Sequence, residues 1–343
     1  MTAILLPAAD GAQSADAAPT VSPTGSTAPS RLPAVPAPSA RGWGLILLLG
    51  AIWGGSFSLV EIGLRELPPF TLVAHRVFWA ALTLWALLAA AGVLDLAPGA
   101  PLRRAGLWAR WAAMGLLNNA IPFSLIVWGQ TEIESGLAAI FNATTALLGV
   151  MTAALFLADE RLSARKALGA LIGVLGVALI VGRDALGGLD PRSLGQFAIL
   201  GAALSYACAS VWGRARLGGV SAPLNALGML STSALMMVPL AAAVDGPPNL
   251  DLSLETWAAV VALSSIATAG AYLLYFAILR ETGAANTMLV TLIVPPIAIL
   301  LGWLFLGERL GFEAFVGFAV IAFGLGVIDG RPARWLRERT RGD

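Results

Sequence analysis

The sequence predicts an all-α integral membrane protein with ten transmembrane helices. Hydrophobic residues make up 58% of the 343-residue chain and charged residues only 12%, and the mean hydropathy is +0.81. A soluble domain usually carries about 25% charged residues, so this chain lacks the polar surface that would keep it in solution. Ten apolar stretches follow residue 41, and most approach the roughly 20 residues that cross a bilayer.

Stretches without a charge define the predicted helices in chain order. The second helix is expected to begin near Phe70, so that it includes His75 and Arg76. The fifth and tenth stretches are the shortest and need flanking residues to span the bilayer. The ten charge-free stretches are 42–60, 77–94, 111–131, 135–158, 167–182, 193–213, 217–244, 256–279, 282–307 and 314–328.

Two tails flank the apolar part of the chain. Residues 1–40 consist mainly of Ala, Pro, Ser and Thr, a composition that buries too little apolar surface to offset chain entropy, so a disordered tail is expected. A signal peptide is disfavoured because the first basic residue is Arg31 and no long apolar segment follows the start. Residues 331–343 form a basic tail.

The distribution of Lys and Arg predicts the orientation in the membrane. With ten spans and a cytoplasmic N-terminus, 16 of the 21 basic residues lie in cytoplasmic segments, four lie on the opposite side, and Arg76 lies inside a span. Cytoplasmic loops are rich in Lys and Arg, so both termini are expected in the cytoplasm. The predicted location is the bacterial inner membrane.

The two halves of the chain resemble each other. The segment 154–162 contains Asp-Glu-Arg-Leu and recurs in 303–310 with one residue fewer, and a glycine-rich helix follows each copy. Upstream, Glu134-Ser-Gly-Leu-Ala138 matches Glu281-Thr-Gly-Ala-Ala285, 147 residues later. A period of five spans places the second copy in the opposite orientation. We therefore predict two inverted five-helix repeats, 43–182 and 193–330, an architecture that recurs in secondary transporters.

Residues 43–330 also resemble a known family, the EamA-type transporters of the drug/metabolite transporter superfamily. This resemblance implies a ten-helix bundle with a substrate cavity between two repeats, and it favours export of a metabolite, amino acid or drug-like compound. One bacterial branch carries a proline after the segment corresponding to Asn142-Ala-Thr-Thr145, where this chain has Ala146, so a stiffer fourth helix is expected. The matching segments are Ile52-Trp-Gly-Gly-Ser-Phe57, Leu67-Pro-Pro-Phe70 leading to Arg76, Ile121-Pro-Phe-Ser-Leu-Ile-Val-Trp-Gly-Gln130, and both Glu-Arg-Leu motifs.

Ionisable side chains within the spans require a physical explanation, because they are costly in hydrocarbon. Arg76 is interpreted either as an anion-binding or gating group that faces a cavity, or as an arginine that extends outward or pairs with Glu61. His75 is interpreted either as a proton relay or as an imidazole with satisfied hydrogen bonds near the interface.

Polar and aromatic residues within the spans supply the other candidate site residues. Amides in hydrocarbon must find partners, so they either line a cavity or join neighbouring helices by hydrogen bonds. Five tryptophans at span ends are expected to be interfacial anchors: Trp43, Trp108, Trp111, Trp257 and Trp335. The candidate substrate-binding residues are Trp53, Arg76, Asn119, Asn142, Tyr206, Tyr275 and Asn286.

No nucleotide loop, nucleophile elbow or zincin motif is present in the sequence, so an enzyme is disfavoured. One cysteine and one histidine cannot form a classical zinc site, and the net charge of +1 does not favour nucleic-acid binding. No cofactor is expected. The expected partners are a small-molecule substrate, membrane lipids and a coupling ion or proton. The spacing of Gly169 and Gly173 favours close helix packing, within one chain or in a homodimer. A membrane-embedded enzyme or a lipid-handling subunit remains the alternative function.

Overall fold

The computed structural model describes residues 38–94, 100–157, 163–181, 191–248, 250–287 and 289–330. Within these ranges the chain forms helices and short connections, and no β-strand occurs. The predicted N-terminal tail up to residue 37, the basic tail 331–343 and the first Glu-Arg-Leu motif at 160–162 lie outside the described residues. The long helices are α1 Ala40–Leu64, α2 Pro69–Ala90, α3 Ala105–Gly129, α4 Ser135–Phe156, α5 Ala164–Val181, α6 Pro191–Arg216, α7 Ala222–Val244, α8 Leu254–Thr282, α9 Val290–Leu306 and α10 Phe312–Asp329.

Eight helices of the described part are long and apolar enough to cross a membrane, namely α1–α4, α6–α8 and α10. Helix α9 is a shorter apolar helix, preceded by the short helix Ala284–Thr287. Many large apolar side chains on these helices are exposed, among them Phe156, Leu235 and Phe312. Exposed apolar surface of this extent suits hydrocarbon rather than water. The all-α, multi-pass membrane class is therefore confirmed.

Local chemistry explains where several helices begin and end. Ser39 caps α1, because its hydroxyl accepts a hydrogen bond from the Gly42 amide at 3.0 Å. Pro69 occupies the first turn of α2, where its missing N–H costs nothing. Helix α8 ends at Thr282 because the next residue, Gly283, has a φ of 78°, a left-handed value that glycine adopts readily.

Helices α3 and α8 each contain a π-helical stretch, at Leu116–Ala120 and at Ala262–Gly270. In α3 the stretch ends just before Pro122, whose ring nitrogen cannot donate to the carbonyl one turn earlier. In α8 the Thr268 hydroxyl bonds back to the Leu263 carbonyl at 2.8 Å. Such wide turns redirect side chains and frequently occur at functional sites.

Helix α4 is interrupted at Thr144, between Ser135–Ala143 and Thr145–Phe156. The absence of a proline at Ala146 therefore does not make α4 continuous. The Thr144 hydroxyl donates to the Phe141 carbonyl at 2.6 Å, and the Thr145 hydroxyl donates to the Asn142 carbonyl at 2.7 Å. Two consecutive side-chain bonds to these carbonyls compete with the helical ladder, so the interruption needs no proline.

Helices from the first half pack mainly against helices from the second half. Helices α5 and α10 cross along a glycine seam, where a Cβ on Gly169 would lie 2.6 Å from the Gly324 carbonyl oxygen. A Cβ on Gly176 would lie 2.8 Å from the Gly317 carbonyl oxygen. The predicted close approach of α5 therefore occurs within the chain. The other large helix contacts are α2–α7, α1–α9, α4–α6, α3–α6, α1–α8, α3–α7, α2–α8 and α4–α9.

Trp111 is a core residue and not the interfacial anchor expected from its position near a span end. Its side chain is 0% exposed and lies against Gly228 of α7, where no Cβ occupies the space. The indole Nε1 donates to Asn225 Oδ1 at 2.9 Å. A tryptophan with its N–H satisfied inside the protein needs no contact with the membrane interface.

Candidate functional site

A chain of hydrogen bonds joins α3, α7 and α8 in the middle of these helices. The Tyr272 hydroxyl donates to Asn119 Oδ1 at 2.7 Å and accepts from Asn118 Nδ2 at 2.9 Å. Asn119 Nδ2 donates to Ser233 Oγ at 3.0 Å, and the Ser233 hydroxyl donates to the Met229 carbonyl at 2.6 Å. Asn119 is 0% exposed. The π-helical turn of α3 carries both asparagines, so that both amides can form hydrogen bonds with the Tyr272 hydroxyl.

Arg76 of α2 lies in the interior of the bundle beside this network. It stands about 10 Å along α2 from the first residue, at 1.5 Å per residue, and is only 7% exposed. Its Nε donates to Thr268 Oγ1 of α8 at 2.9 Å. The guanidinium carbon lies 3.7 Å from the centre of the Phe123 ring, close enough for a cation–π interaction.

The surroundings of Arg76 bear on its second interpretation, as an arginine that extends outward or pairs with Glu61. The side chain does not extend outward, because it is buried, and within the described ranges no carboxylate forms an ion pair with it. Pairing with Glu61 is therefore not observed. Tyr206 of α6 and Tyr272 lie near enough to interact electrostatically with the guanidinium. Among the predicted site residues, the structure thus brings Arg76, Asn119 and Tyr206 into one region.

An aromatic group forms a second part of the interior. Trp53 of α1 and Tyr275 of α8 have ring centres 5.8 Å apart, and Tyr275 also contacts Phe276 edge to face, with ring centres 5.4 Å apart. Rings at these separations attract each other through their quadrupoles. Tyr206 packs against the same apolar cluster as Trp53 and Tyr275, and also against the cluster around Phe123.

The two remaining asparagines lie at the interrupted helices. Asn142 stands just before the break in α4, and its Oδ1 is buried without a hydrogen-bond partner. Asn286 lies in the short helix Ala284–Thr287 before α9, is 1% exposed, and donates from Nδ2 to the Thr282 carbonyl at 2.8 Å. No described hydrogen bond connects either amide to Arg76.

His75 contacts a group of tryptophans. Trp79 Nε1 donates to His75 Nδ1 at 3.2 Å, and the Trp257 ring meets the imidazole edge to face with centres 5.8 Å apart. The acceptor role of Nδ1 implies a neutral imidazole protonated at Nε2. That Nε2 is buried without a described hydrogen-bond partner.

Carboxylates tie together helices at one end of the bundle, here called the carboxylate end and defined by Glu66, Glu134, Asp245 and Glu308. Asp245, after α7, accepts from the Thr71 amide and hydroxyl at 2.7 and 2.8 Å. Glu66, after α1, accepts from the Ser253 amide at 2.9 Å and also from the Ser253 hydroxyl. Carboxylates stabilise helix N-termini because the first N–H groups have no partner within the helix.

Glu308 of the second Glu-Arg-Leu motif accepts three hydrogen bonds, as many as Glu66, which also accepts from the Thr256 hydroxyl at 2.8 Å. Its Oε1 accepts from the Ser135 amide at 2.8 Å, and its Oε2 accepts from the Ser135 hydroxyl at 2.9 Å and the Gly136 amide at 3.2 Å. The motif from the second half thus holds the N-terminus of α4 from the first half. Nearby, Arg192 of α6 makes a two-armed bond to Glu134 at 3.1 and 3.3 Å.

Apart from the bond between Trp111 and Asn225, the described contacts at the opposite end are of a different kind. The described ion pair there joins Arg41 and Glu281 at 3.6 Å, and Arg41 is largely exposed. Trp212 Nε1 donates to the Arg110 carbonyl at 3.2 Å, and Arg110 donates to the Arg216 carbonyl at 3.3 Å. Exposed and long contacts of this type are weak compared with carboxylates on helix N-termini.

Four residues next to Arg76 and Asn119 were not among the predicted site residues: Tyr272, Thr268, Phe123 and Ser233. Tyr272 lies one helical turn before Tyr275, so the spacing places both on one face of α8. Thr268 and Ser233 are small polar residues typical of packed membrane helices, so their position relative to Arg76 is visible only in the structure.

The sequence profile described as the EamA-like transporter family matches the chain twice, over residues 40–182 and 193–328. A probable amino-acid metabolite efflux pump of Escherichia coli (strain K12) is 25% identical over 293 residues, 82% of this chain and 92% of the relative. The uncharacterized inner membrane transporter YedA of the same strain is 27% identical over 287 residues, 82% and 89% of the two chains. The uncharacterized transporter YoaV of Bacillus subtilis (strain 168) is 21% identical over 281 residues, 82% and 94%.

The fold is also similar to a solved crystal structure. The two chains share a TM-score of 0.60 at 21% sequence identity, over 84% of this chain and 97% of the other. At this identity the likeness concerns the fold alone.

Proposed function

The chain belongs to the EamA-like transporter family, and from that premise we propose that it exports a small metabolite across the bacterial inner membrane by alternating access. The protein is a multi-pass membrane transporter, as its family and its relatives' names state. Amino-acid metabolites are the first substrates to examine, because one relative is named a probable efflux pump for them. The relatives are named as transporters and not as enzymes.

We propose that all of α1–α10 cross the membrane and form two inverted five-helix repeats. The double match of the family profile supports this arrangement. The helix contacts support it too, since exchanging α1–α5 with α6–α10 turns α1–α9 into α6–α4, α3–α6 into α8–α1 and α3–α7 into α8–α2. Pairs α2–α7, α4–α9 and α5–α10 map onto themselves. The π-helical stretches of α3 and α8 occupy corresponding positions.

The excess of basic residues supports cytoplasmic termini, which makes the carboxylate end periplasmic. Carboxylates from one repeat bind helix N-termini of the other at this end, so the structure fits a state closed to the periplasm. Release of the solute then requires these contacts to separate while contacts form at the cytoplasmic end. Relative movement of two repeats around a fixed central site is the usual form of alternating access.

The proposed substrate site lies between the repeats, with Arg76 and Asn119 from the first and Tyr206 and Tyr272 from the second. Trp53, Tyr275, Asn142 and Asn286 are proposed to extend it. Energy is proposed to come from an ion or proton gradient or from the gradient of the solute itself, and His75 is the candidate proton carrier. Membrane lipids surround the exposed apolar helix faces.

The observation that carries this proposal is the buried polar network of α2, α3, α7 and α8 within apolar helices. Polar and ionisable groups at this depth are costly in hydrocarbon, and they commonly mark a substrate pathway. The test compares metabolites secreted by cells that overexpress the protein, cells that lack it, and cells expressing Asn119→Leu. We expect at least one small metabolite to increase in the medium with the wild-type protein and to return to the deletion level with Asn119→Leu at equal membrane abundance. An unchanged medium in all three strains would contradict export.

A further inference from the structure

Arg76 is a buried cation without a neutralising anion among the described residues. It is 7% exposed, and within the described ranges it forms no ion pair. A buried charge is strongly destabilising unless it is paired and hydrogen-bonded. One hydrogen bond to Thr268 and one aromatic face do not supply a negative charge. Among the residues that the structure describes, no group neutralises this positive charge, so another molecule would have to supply the anion.

The geometry of the guanidinium defines which part of it is free. Nε is occupied by Thr268 Oγ1 at 2.9 Å, and the Phe123 ring covers one face at 3.7 Å. Nη1 and Nη2 make no hydrogen bond to the described residues. These two nitrogens present parallel N–H groups at the end of the planar group, which matches the two oxygens of a carboxylate.

We propose that the transported solute carries a carboxylate and that Arg76 binds this carboxylate end-on through Nη1 and Nη2. The inference rests on the proposed function and defines the substrate class of the same site. A carboxylate is favoured over a phosphate because Arg76 is the one Lys or Arg within α2, α3 or α8 near the network. A single positive charge neutralises a monoanion, whereas a phosphate monoester carries nearly two charges at neutral pH.

Neighbouring groups suit the remainder of such a solute. The Tyr206 and Tyr272 phenols lie near the guanidinium, and Asn118 and Asn119 of α3 hold the Tyr272 hydroxyl in place by hydrogen bonds. These groups are neutral, so they suit hydroxyl, amide or amino substituents without competing for the carboxylate. The site therefore selects the anionic group strongly and the rest of the solute weakly.

The test sorts secreted solutes by their chemistry. Mass spectrometry of the medium compares cells with no transporter, wild type, Arg76→Gln, Arg76→Lys and Thr268→Val, each at measured membrane abundance. We expect every solute raised by the wild type to contain a carboxylate, and Arg76→Gln to lower its export at least tenfold. Arg76→Lys keeps the charge but loses the fork of two donors, so it should retain part of the export. Thr268→Val should also lower export, because it frees the guanidinium to rotate.

A second measurement uses purified protein in proteoliposomes loaded with the wild type's most strongly exported solute or with its primary amide. The acid should leave the vesicles and the amide should not, although the two have nearly the same size. Equal efflux of acid and amide would overturn the inference, as would secreted solutes with a phosphate alone or with no anionic group.

Other outcomes distinguish a failure of the role proposed for Arg76 from a failure of the proposed export function. Export of carboxylates that is unchanged in Arg76→Gln would refute the role of Arg76 but leave transport intact. Absence of any exported solute would refute the proposed function and the inference with it. If Arg76→Gln does not reach the membrane, Arg76→Lys and Thr268→Val decide the case, since both keep the buried charge.

Discussion

Replacing Glu308 with glutamine should open the carboxylate end. Glu308 accepts three hydrogen bonds from Ser135 and Gly136 on its two oxygens. Glutamine keeps one acceptor oxygen and replaces the other with an amide that cannot accept from the Gly136 N–H. A hydrogen bond to a charged group contributes about 1.5–3 kcal/mol, and the lower end applies because Glu308 is half-buried. A loss of about 1.4 kcal/mol moves the closed-to-open ratio roughly tenfold towards open.

A single cysteine in the site measures this shift. In a Cys208→Ala background, Asn119→Cys is labelled in intact cells by a membrane-impermeant thiol reagent supplied from outside. We expect Glu308→Gln to accelerate labelling roughly tenfold, the factor that corresponds to about 1.4 kcal/mol. Glu313→Gln is the matched control, because this exposed carboxylate on the next helix makes no described hydrogen bond. Equal labelling rates in the Glu308→Gln and Glu313→Gln proteins would refute the closure by Glu308.

Three further predictions follow from the packing and charges. Gly169→Leu should lower membrane abundance and thermal stability because its side chain would meet the Gly324 carbonyl, whereas Gly44→Leu, with nothing within 4 Å, should be tolerated. Trp111→Phe should lower the melting temperature, because it leaves Asn225 Oδ1 without its indole donor in a partly buried position, and an unsatisfied polar group costs about 1–3 kcal/mol. An unchanged melting temperature would show that the bond is dispensable. Hydrogen bonds from Ser253 lower the pKa of Glu66. The stability that ionised Glu66 gives the folded protein is therefore complete at neutral pH and is lost as pH falls through that lowered pKa. Glu66→Gln should therefore flatten the acid side of the stability profile, and identical profiles would contradict this.

The sequence was sufficient to predict the all-α membrane class and to single out the ionisable residues that lie within the spans. Apolar stretches indicated where helices lie, because length and hydropathy largely determine membrane insertion. Arg76 stood out for a related reason, since an ionisable side chain within an apolar stretch is costly in hydrocarbon and therefore indicates a functional site. Its environment was not accessible: the contact with Thr268 joins residues 192 positions apart in the chain. Spacing along one helix carries no information about such a partner.

The position of Trp111 and the interruption of α4 each have a specific physical cause. Trp111 was assigned to the interface from its position along the helix, but Gly228 on α7 leaves space for the indole, and Asn225 satisfies its N–H. Ala146 suggested a stiffer α4, but the hydroxyls of Thr144 and Thr145 compete for the same carbonyls. Both expectations considered one helix in isolation. For Trp111 the deciding contacts come from the neighbouring helix α7, and for α4 they are side-chain hydrogen bonds, which a hydropathy scale does not include.

Efflux from proteoliposomes tests transport most directly. Vesicles containing the purified wild-type protein are loaded with the small-molecule fraction of a bacterial extract, and mass spectrometry follows every solute that appears outside. Vesicles with Asn119→Leu and vesicles without protein are the controls. We predict that at least one metabolite leaves wild-type vesicles faster than both controls, because transport requires no other protein. Identical efflux of every solute from the three preparations would contradict the conclusion that this chain alone moves a small molecule across a membrane.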